Sequence, residues 1–309
     1  MEKTENTTQL SPEQQQAVTA FTTFFAKIKR TDVLRTPAEY GMEYEDVSFP
    51  ALDGLTIKGW FIPADSDKLI IVNHFMTGNR YGYPGHLEPN DPVGYEVNYL
   101  PQHKALHDAG YNILAYDLRN HGESETYNNG YGGNGQNEYR DVIGSIRYAK
   151  SRKDTADMKI GLYSICYGCN STLVAISKHS EEFSDIKALL ALQPASAGSL
   201  IGRFFENNGI DKEAGMALAD KTMSDMTGFH IQELSPIEAT KSVTMPTLIV
   251  QVHDDSMSHP EDVQSIFDNM PAADKKLFWI EGTTDRFRGY TYFNDQPELL
   301  LEWFNIHMK

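Results

Sequence analysis

The run Lys159-Ile160-Gly161-Leu162-Tyr163-Ser164-Ile165-Cys166-Tyr167-Gly168 constrains this chain more than any other stretch. An apolar strand pattern leads into a small residue, Ser164, then Cys166, then a second small residue, Gly168, and a helical pattern over 168–179. Small side chains on both flanks are what a very tight strand-to-helix corner demands, because a bulky flank clashes there. Such a corner lifts one side chain above a sheet and aims backbone N–H groups of the helix start at whatever lies beyond. A thiol held in that place is a candidate nucleophile. The competing reading is a small buried apolar residue at a strand end, since Cys often packs that way.

Around this corner, strands and helices alternate. Apolar runs at 68–74, 111–117, 158–163, 186–192, 247–252 and 276–281 predict strands, and 99–109, 138–149, 168–179 and 297–308 predict helices. Ahead of them, 44–49 and 55–62 flank the turn Asp53-Gly54 and predict a hairpin. Continuous apolar strands between helices predict an α/β class, a doubly wound, mostly parallel sheet covered on both faces. Residues 11–29 predict a helix: Ser11 caps it, Pro12 opens it, and Val18, Phe21, Phe24, Phe25 and Ile28 recur at helical spacing. The expected organisation is a helical extension over 1–40 and a main domain over 41–309. A connection at about 200–244, longer than most between neighbouring strands, is expected to sit over the strand ends as a cap. The Gly- and Asn-rich stretch 127–136 reads as a loop.

A net charge of −16 over 309 residues argues against nucleic acid and anionic membrane surfaces, both of which call for a basic face. No apolar run approaches the ~20 residues of a membrane helix. Residues 1–16 are polar, without the pattern of a secretory signal, so the cytoplasm is the expected location. The two cysteines, Cys166 and Cys169, are spaced Cys-x-x-Cys. A redox dithiol and half of a zinc site are alternatives. A second pair of ligands is missing for zinc, and the small flanking residues fit a tight corner better than a dithiol. No cofactor and no metal are expected.

Three further runs extend the pattern. His74-Phe75-Met76-Thr77-Gly78-Asn79 follows the first apolar strand, and Asp117-Leu118-Arg119-Asn120-His121-Gly122-Glu123-Ser124 follows another. A strand opened by Pro246 leads to His253-Asp254-Asp255. In this order the runs resemble the α/β-hydrolase superfamily from about residue 43 onward. The resemblance implies the α/β-hydrolase fold with an N-terminal hairpin and a helical cap insertion. It also implies acyl transfer with Cys166 as nucleophile and Asp255 as the acid; Asp254, one residue away, stays open. The oxyanion donors it implies are the N–H of Tyr167 and that of Met76 or Phe75, where Phe75 replaces a usual Gly. The aromatic run Tyr81-Gly82-Tyr83-Pro84 and cap residues Phe204 and Phe205 are candidates to line an acyl pocket.

The family's histidine follows the last strand in a Gly-x-x-His turn, and here that turn is Gly282-Thr283-Thr284-Asp285. Asp285 therefore takes the base position. A thiol partly relieves the need for a base, and Arg286 or Arg288 would stabilise its thiolate if either points inward, although exposure is the expected place of each. His253, His259 and His74 are alternative bases, and His121 matches a histidine the family keeps for structure. Cysteine nucleophiles on this fold are known from dienelactone hydrolases, which this chain distantly resembles, and from bile-acid acyltransferases. The expected activity is hydrolysis of an ester, lactone or thioester, with a small-molecule acyl substrate as partner. The alternatives are a lyase, cyclase or acyltransferase that dispenses with water activation, and a ligand-binding homologue without chemistry. Both monomer and homo-oligomer stay open.

Overall fold

A computed structural model of the chain describes residues 9–88 and 93–309. The first eight residues of the expected extension lie outside the described residues. The main sheet has eight strands: β1 Glu45–Pro50, β2 Thr56–Ile62, β3 Lys68–Asn73, β4 Asn112–Tyr116, β5 Lys159–Ile165, β6 Ala188–Leu192, β7 Thr247–Val252 and β8 Lys275–Ile280. Their spatial order is β1-β2-β4-β3-β5-β6-β7-β8. β2 is antiparallel to β1 and β4, and the remaining neighbours are parallel. The turn expected at Asp53-Gly54 closes the β1–β2 hairpin, with Gly54 at a φ of 87° that an L side chain rarely adopts.

The apolar runs are buried because helices cover both faces of the sheet. The helices are α1 Pro12–Ala26, α2 Leu100–Asp108, α3 Tyr139–Ser151, α4 Tyr167–Lys178, α5 Ala197–Asn207, α6 Lys212–Thr227, α7 Pro260–Asp268, α8 Arg286–Tyr290, α9 Tyr292–Asp295 and α10 Glu298–His307. Every residue of β4, β6 and β7 is buried. Separate apolar clusters fill the two faces. This is the α/β-hydrolase fold. The sequence pattern did not disclose α7, α8 and α9; α8 and α9, of five and four residues, have too few turns to display a period.

A third apolar cluster joins α1 to α5 and α6, the two long helices between β6 and β7. Ser11 and Gln14 form a reciprocal capping box at the start of α1. The rings of Phe21 on α1 and Phe204 on α5 stack with centroids 3.9 Å apart. The N-terminal helix is thereby fastened to the insertion. Among the described residues no helix is long and apolar enough to cross a membrane.

Candidate active site

Parallel strands deliver their carboxyl ends to one edge of a sheet, and the loops that leave them meet there. Cys166 follows the end of β5 and precedes the first residue of α4. Its φ of 50° and ψ of −105° lie where a side-chain-bearing residue is strained. The two small flanking residues explain how the corner holds. A Cβ on Gly168 would come within 2.4 Å of the Asn73 carbonyl oxygen, so only glycine lets α4 approach β3 this closely. Ser164 is buried, and its hydroxyl accepts from Asn73 Nδ2 at 2.9 Å. Cys166 itself is half-buried and opens onto a cavity of about 70 Å³.

The cavity is apolar. Phe21, Phe24 and Phe25 of α1 close one side, and Met76, Met257 and Phe287 contribute others. The aromatic residues proposed from sequence for this wall lie elsewhere. Phe205 is sealed in the cluster of α1, α5 and α6, Phe204 stacks on Phe21, and Tyr81 and Tyr83 pack into the core beside Phe75. Both Met76 and Tyr167 border the cavity with Cys166. Tyr167 opens α4, so its N–H is among those a helix leaves without an intrahelical acceptor. Phe75, in place of the usual glycine, stacks on Tyr290 with centroids 4.5 Å apart and meets Phe287, Tyr83 and Tyr99 edge-on.

The group that meets the sulfur is Arg286. Its Nη2 lies 3.5 Å from Cys166 Sγ and also donates to the Gln193 carbonyl. Nη1 donates to Asp255 Oδ2 and, at 3.3 Å, to Ser258 Oγ. Nε donates to the Tyr290 hydroxyl at 2.8 Å. All five guanidinium N–H directions thus meet an acceptor. Gln193 completes the hold by donating from Nε2 to the Arg286 carbonyl at 2.7 Å. Burial opposes the charge on Arg286, but Tyr290, Asp255 and Cys166 outweigh it and raise its pKa well above the ordinary value. Surface exposure was the expectation for Arg286, yet it is 2% exposed. Arg288 is exposed as expected, over the Tyr95 ring.

Asp255 is buried and heavily partnered. It accepts from Met257 N at 2.9 Å, Ser258 Oγ at 2.6 Å and Gln251 Nε2 at 3.1 Å besides Arg286. Asp254 points instead to His253, 2.9 Å from its Nδ1, at the exposed surface. Asp285 is not brought to the sulfur. Its carboxylate caps α8 by accepting from Phe287 N and Arg288 N, and it accepts from the Tyr95 hydroxyl at 2.6 Å. A short helix starting at this turn needs such a cap, and the cap turns the next residue, Arg286, inward.

The alternative histidines are also engaged elsewhere. His259 precedes α7 and contacts Glu206 at 2.9 Å. His253 lies edge-on to Trp279 beside Asp254. His74 is buried: Nε2 accepts from Leu118 N at 2.9 Å, and Nδ1 donates to the Phe75 carbonyl at 2.7 Å. Burial first, and the Arg80 charge after it, lowers its pKa to about 4. Buried Cys169 donates to the Ser164 carbonyl at 2.8 Å on the strand side of α4, and burial raises its pKa well above the ordinary thiol. Among the described residues no group of three or more His, Cys, Asp or Glu side chains could hold a metal ion.

Sequence reasoning did not reach Gln193, Ser258 and Tyr290. A usable signal was present for Tyr290: it stands four residues after Arg286, one helical turn along the same face. Nothing local marks Gln193.

Comparison with known proteins agrees with this fold. The Bacillus subtilis protein YqkD is 21% identical over 254 residues, covering 81% of this chain and 75% of that protein. The esterase Pf2001 of Pyrococcus furiosus superposes with a TM-score of 0.70 at 21% identity, over 92% of this chain and 98% of its own. The α/β-hydrolase GrgF of Penicillium superposes with a TM-score of 0.56 at 19% identity, over 86% of this chain and 99% of its own. A curated Penicillium protein of that name is described as a polyketide transferase and is 28% identical over 131 residues, covering 42% of this chain and 39% of that protein. The model of the prolyl oligopeptidase family matches residues 99–305, two thirds of the sequence. The chain therefore belongs to the prolyl oligopeptidase family, as an enzyme of the α/β-hydrolase type.

Proposed function

We propose that this enzyme transfers acyl groups through a Cys166 thioester, taking an ester, lactone or thioester as donor. The observation that carries the reading is the Arg286 guanidinium 3.5 Å from Sγ, backed by Asp255. A guanidinium keeps its proton at any ordinary pH, so it stabilises negative charge on sulfur but takes no proton from it. That suits cysteine, which supplies its own thiolate fraction, and would not suit serine.

In the proposed step the thiolate attacks the acyl carbon and a C–S bond forms. The oxyanion faces the N–H of Tyr167 and of Met76, and the bond to the leaving group breaks. A thiolate or stabilised alkoxide departs readily. A peptide nitrogen has to be protonated as it leaves, and Arg286 does not supply that proton. The names of two relatives, an esterase and a polyketide transferase, fit transfer of an acyl group. In this mechanism Asp255 positions Arg286, and the contacts of Asp285 are taken up by the α8 cap and Tyr95.

Intact-mass spectrometry after incubation with a short-chain acyl thioester tests the reading. One acyl group is expected on the wild-type protein and none on Cys166→Ala, whose turnover of p-nitrophenyl acetate is expected to drop to background. Unchanged turnover in Cys166→Ala removes the sulfur from the mechanism. A second reading, transfer to an acceptor other than water, is favoured because no imidazole meets the sulfur among the described residues. Product analysis separates the two, since transfer yields no free acid.

A further inference from the structure

We infer that Tyr290 is the catalytic acid–base group that stands in for the missing imidazole, with Arg286 as the fixed charge that stabilises its anion. The inference rests on the Cys166 acyl-enzyme reading above. Arg286 bridges the two side chains: Nε donates to the Tyr290 oxygen at 2.8 Å, while Nη2 lies 3.5 Å from Cys166 Sγ. With its oxygen accepting from Nε, the phenol keeps its own proton to give. Both residues border the cavity that the acyl group would enter. Phe75 stacks on the Tyr290 ring and fixes its plane. Phe75, which departs from the family pattern, and Arg286, which follows the other departure at Asp285, thus converge on one phenol.

The electrostatics time the proton. Burial holds Tyr290 as the neutral phenol; Arg286 works the other way, and negative charge on Cys166 reinforces burial. Once sulfur is acylated its charge is gone, while the guanidinium stays. The phenol then gives up its proton more readily, at the stage when the leaving group needs one.

The steps balance. The Cys166 thiolate attacks the acyl carbon, the bond to the leaving atom breaks, and the Tyr290 proton moves to that atom. The tyrosinate is held by Arg286 Nε. An incoming water or alcohol then gives its proton to the tyrosinate while its oxygen bonds the acyl carbon, and the C–S bond breaks with its electron pair returning to sulfur. Asp255 takes no proton; it positions Arg286.

The test compares Tyr290→Phe with the wild-type enzyme, using an alkyl ester and a thioester that carry the same acyl chain. Phenylalanine keeps the ring stacked on Phe75, and iodoacetamide labelling of Cys166 reports an intact pocket. Acylation by the alkyl ester is expected to slow by ~10²–10⁴-fold, the range of a positioned acid–base group. Acylation by the thioester, whose leaving thiolate needs no proton, falls far less, and the acyl-enzyme accumulates because the acceptor is no longer activated. Equal loss with both donors, unchanged rates with both, or loss of iodoacetamide labelling would each overturn the assignment. The two readings fail separately: a wild-type enzyme that never carries the acyl group sinks the acyl-enzyme itself, whereas a wild-type adduct with donor-independent loss in the variant sinks only Tyr290.

Discussion

Arg286 and Asp255 show how tightly a single buried charge can be specified. A guanidinium in the interior is costly unless every donor is met, and here the acceptors come from the loops after β5, β6 and β7 and from α8 itself. Asp255 supplies the only full negative charge among those acceptors, apart from whatever charge the sulfur carries. Asp255→Asn keeps the shape and removes that charge. It is expected to cost about 3–5 kcal/mol of stability, the usual result of breaking a buried ion pair from one side, measured by denaturant unfolding. Acylation of Cys166 is expected to fall with it. Full stability in Asp255→Asn would mean that the guanidinium is satisfied by its neutral acceptors.

At the scale of elements, α1 is the unexpected participant. Its apolar positions read as an ordinary helix face from sequence, yet that face both binds the insertion and walls the pocket. Phe24 reaches the pocket while remaining 51% exposed, so it has little burial to lose. Phe24→Ala is expected to change the melting temperature only slightly while opening the acyl side of the cavity. In a series of p-nitrophenyl esters the preferred chain should lengthen. An unaltered chain-length profile would show that α1 does not limit the acyl group.

For the molecule as a whole, pH dependence follows from three imidazoles sealed in the interior. Burial lowers His103 to about 3, burial with the adjacent His74 lowers His121 to about 3, and His74 is lowered to about 4. In the unfolded chain each returns to the ordinary value of 6.5. The unfolded state therefore binds more protons below that pH, and acid pulls the equilibrium toward unfolding. Stability from these groups is complete above about pH 6.5 and falls below it by up to ~1.4 kcal/mol per pH unit for each histidine until its folded value is reached. Denaturation midpoints measured from about pH 7.5 down to 4.5 should be flat at first and then decline. A midpoint that stays level to pH 4.5 would contradict the assignment of neutral imidazoles.

The sequence by itself determined the strand-and-helix alternation, the hairpin at Asp53-Gly54, the capped α1 and the tight corner at Cys166. Each depends on neighbours along the chain: a period, a cap or a pair of small residues that a local turn requires. For the acid, the resemblance to a known family pointed to Asp255 and left Asp254 open. Only the tertiary structure decided what faces the sulfur. Arg286 stands 120 residues beyond Cys166, and whether it turns outward or inward depends on Asp285 capping α8 and on acceptors gathered from three other loops. No stretch of sequence contains that set, because buried charge is tolerated only where distant segments jointly meet it.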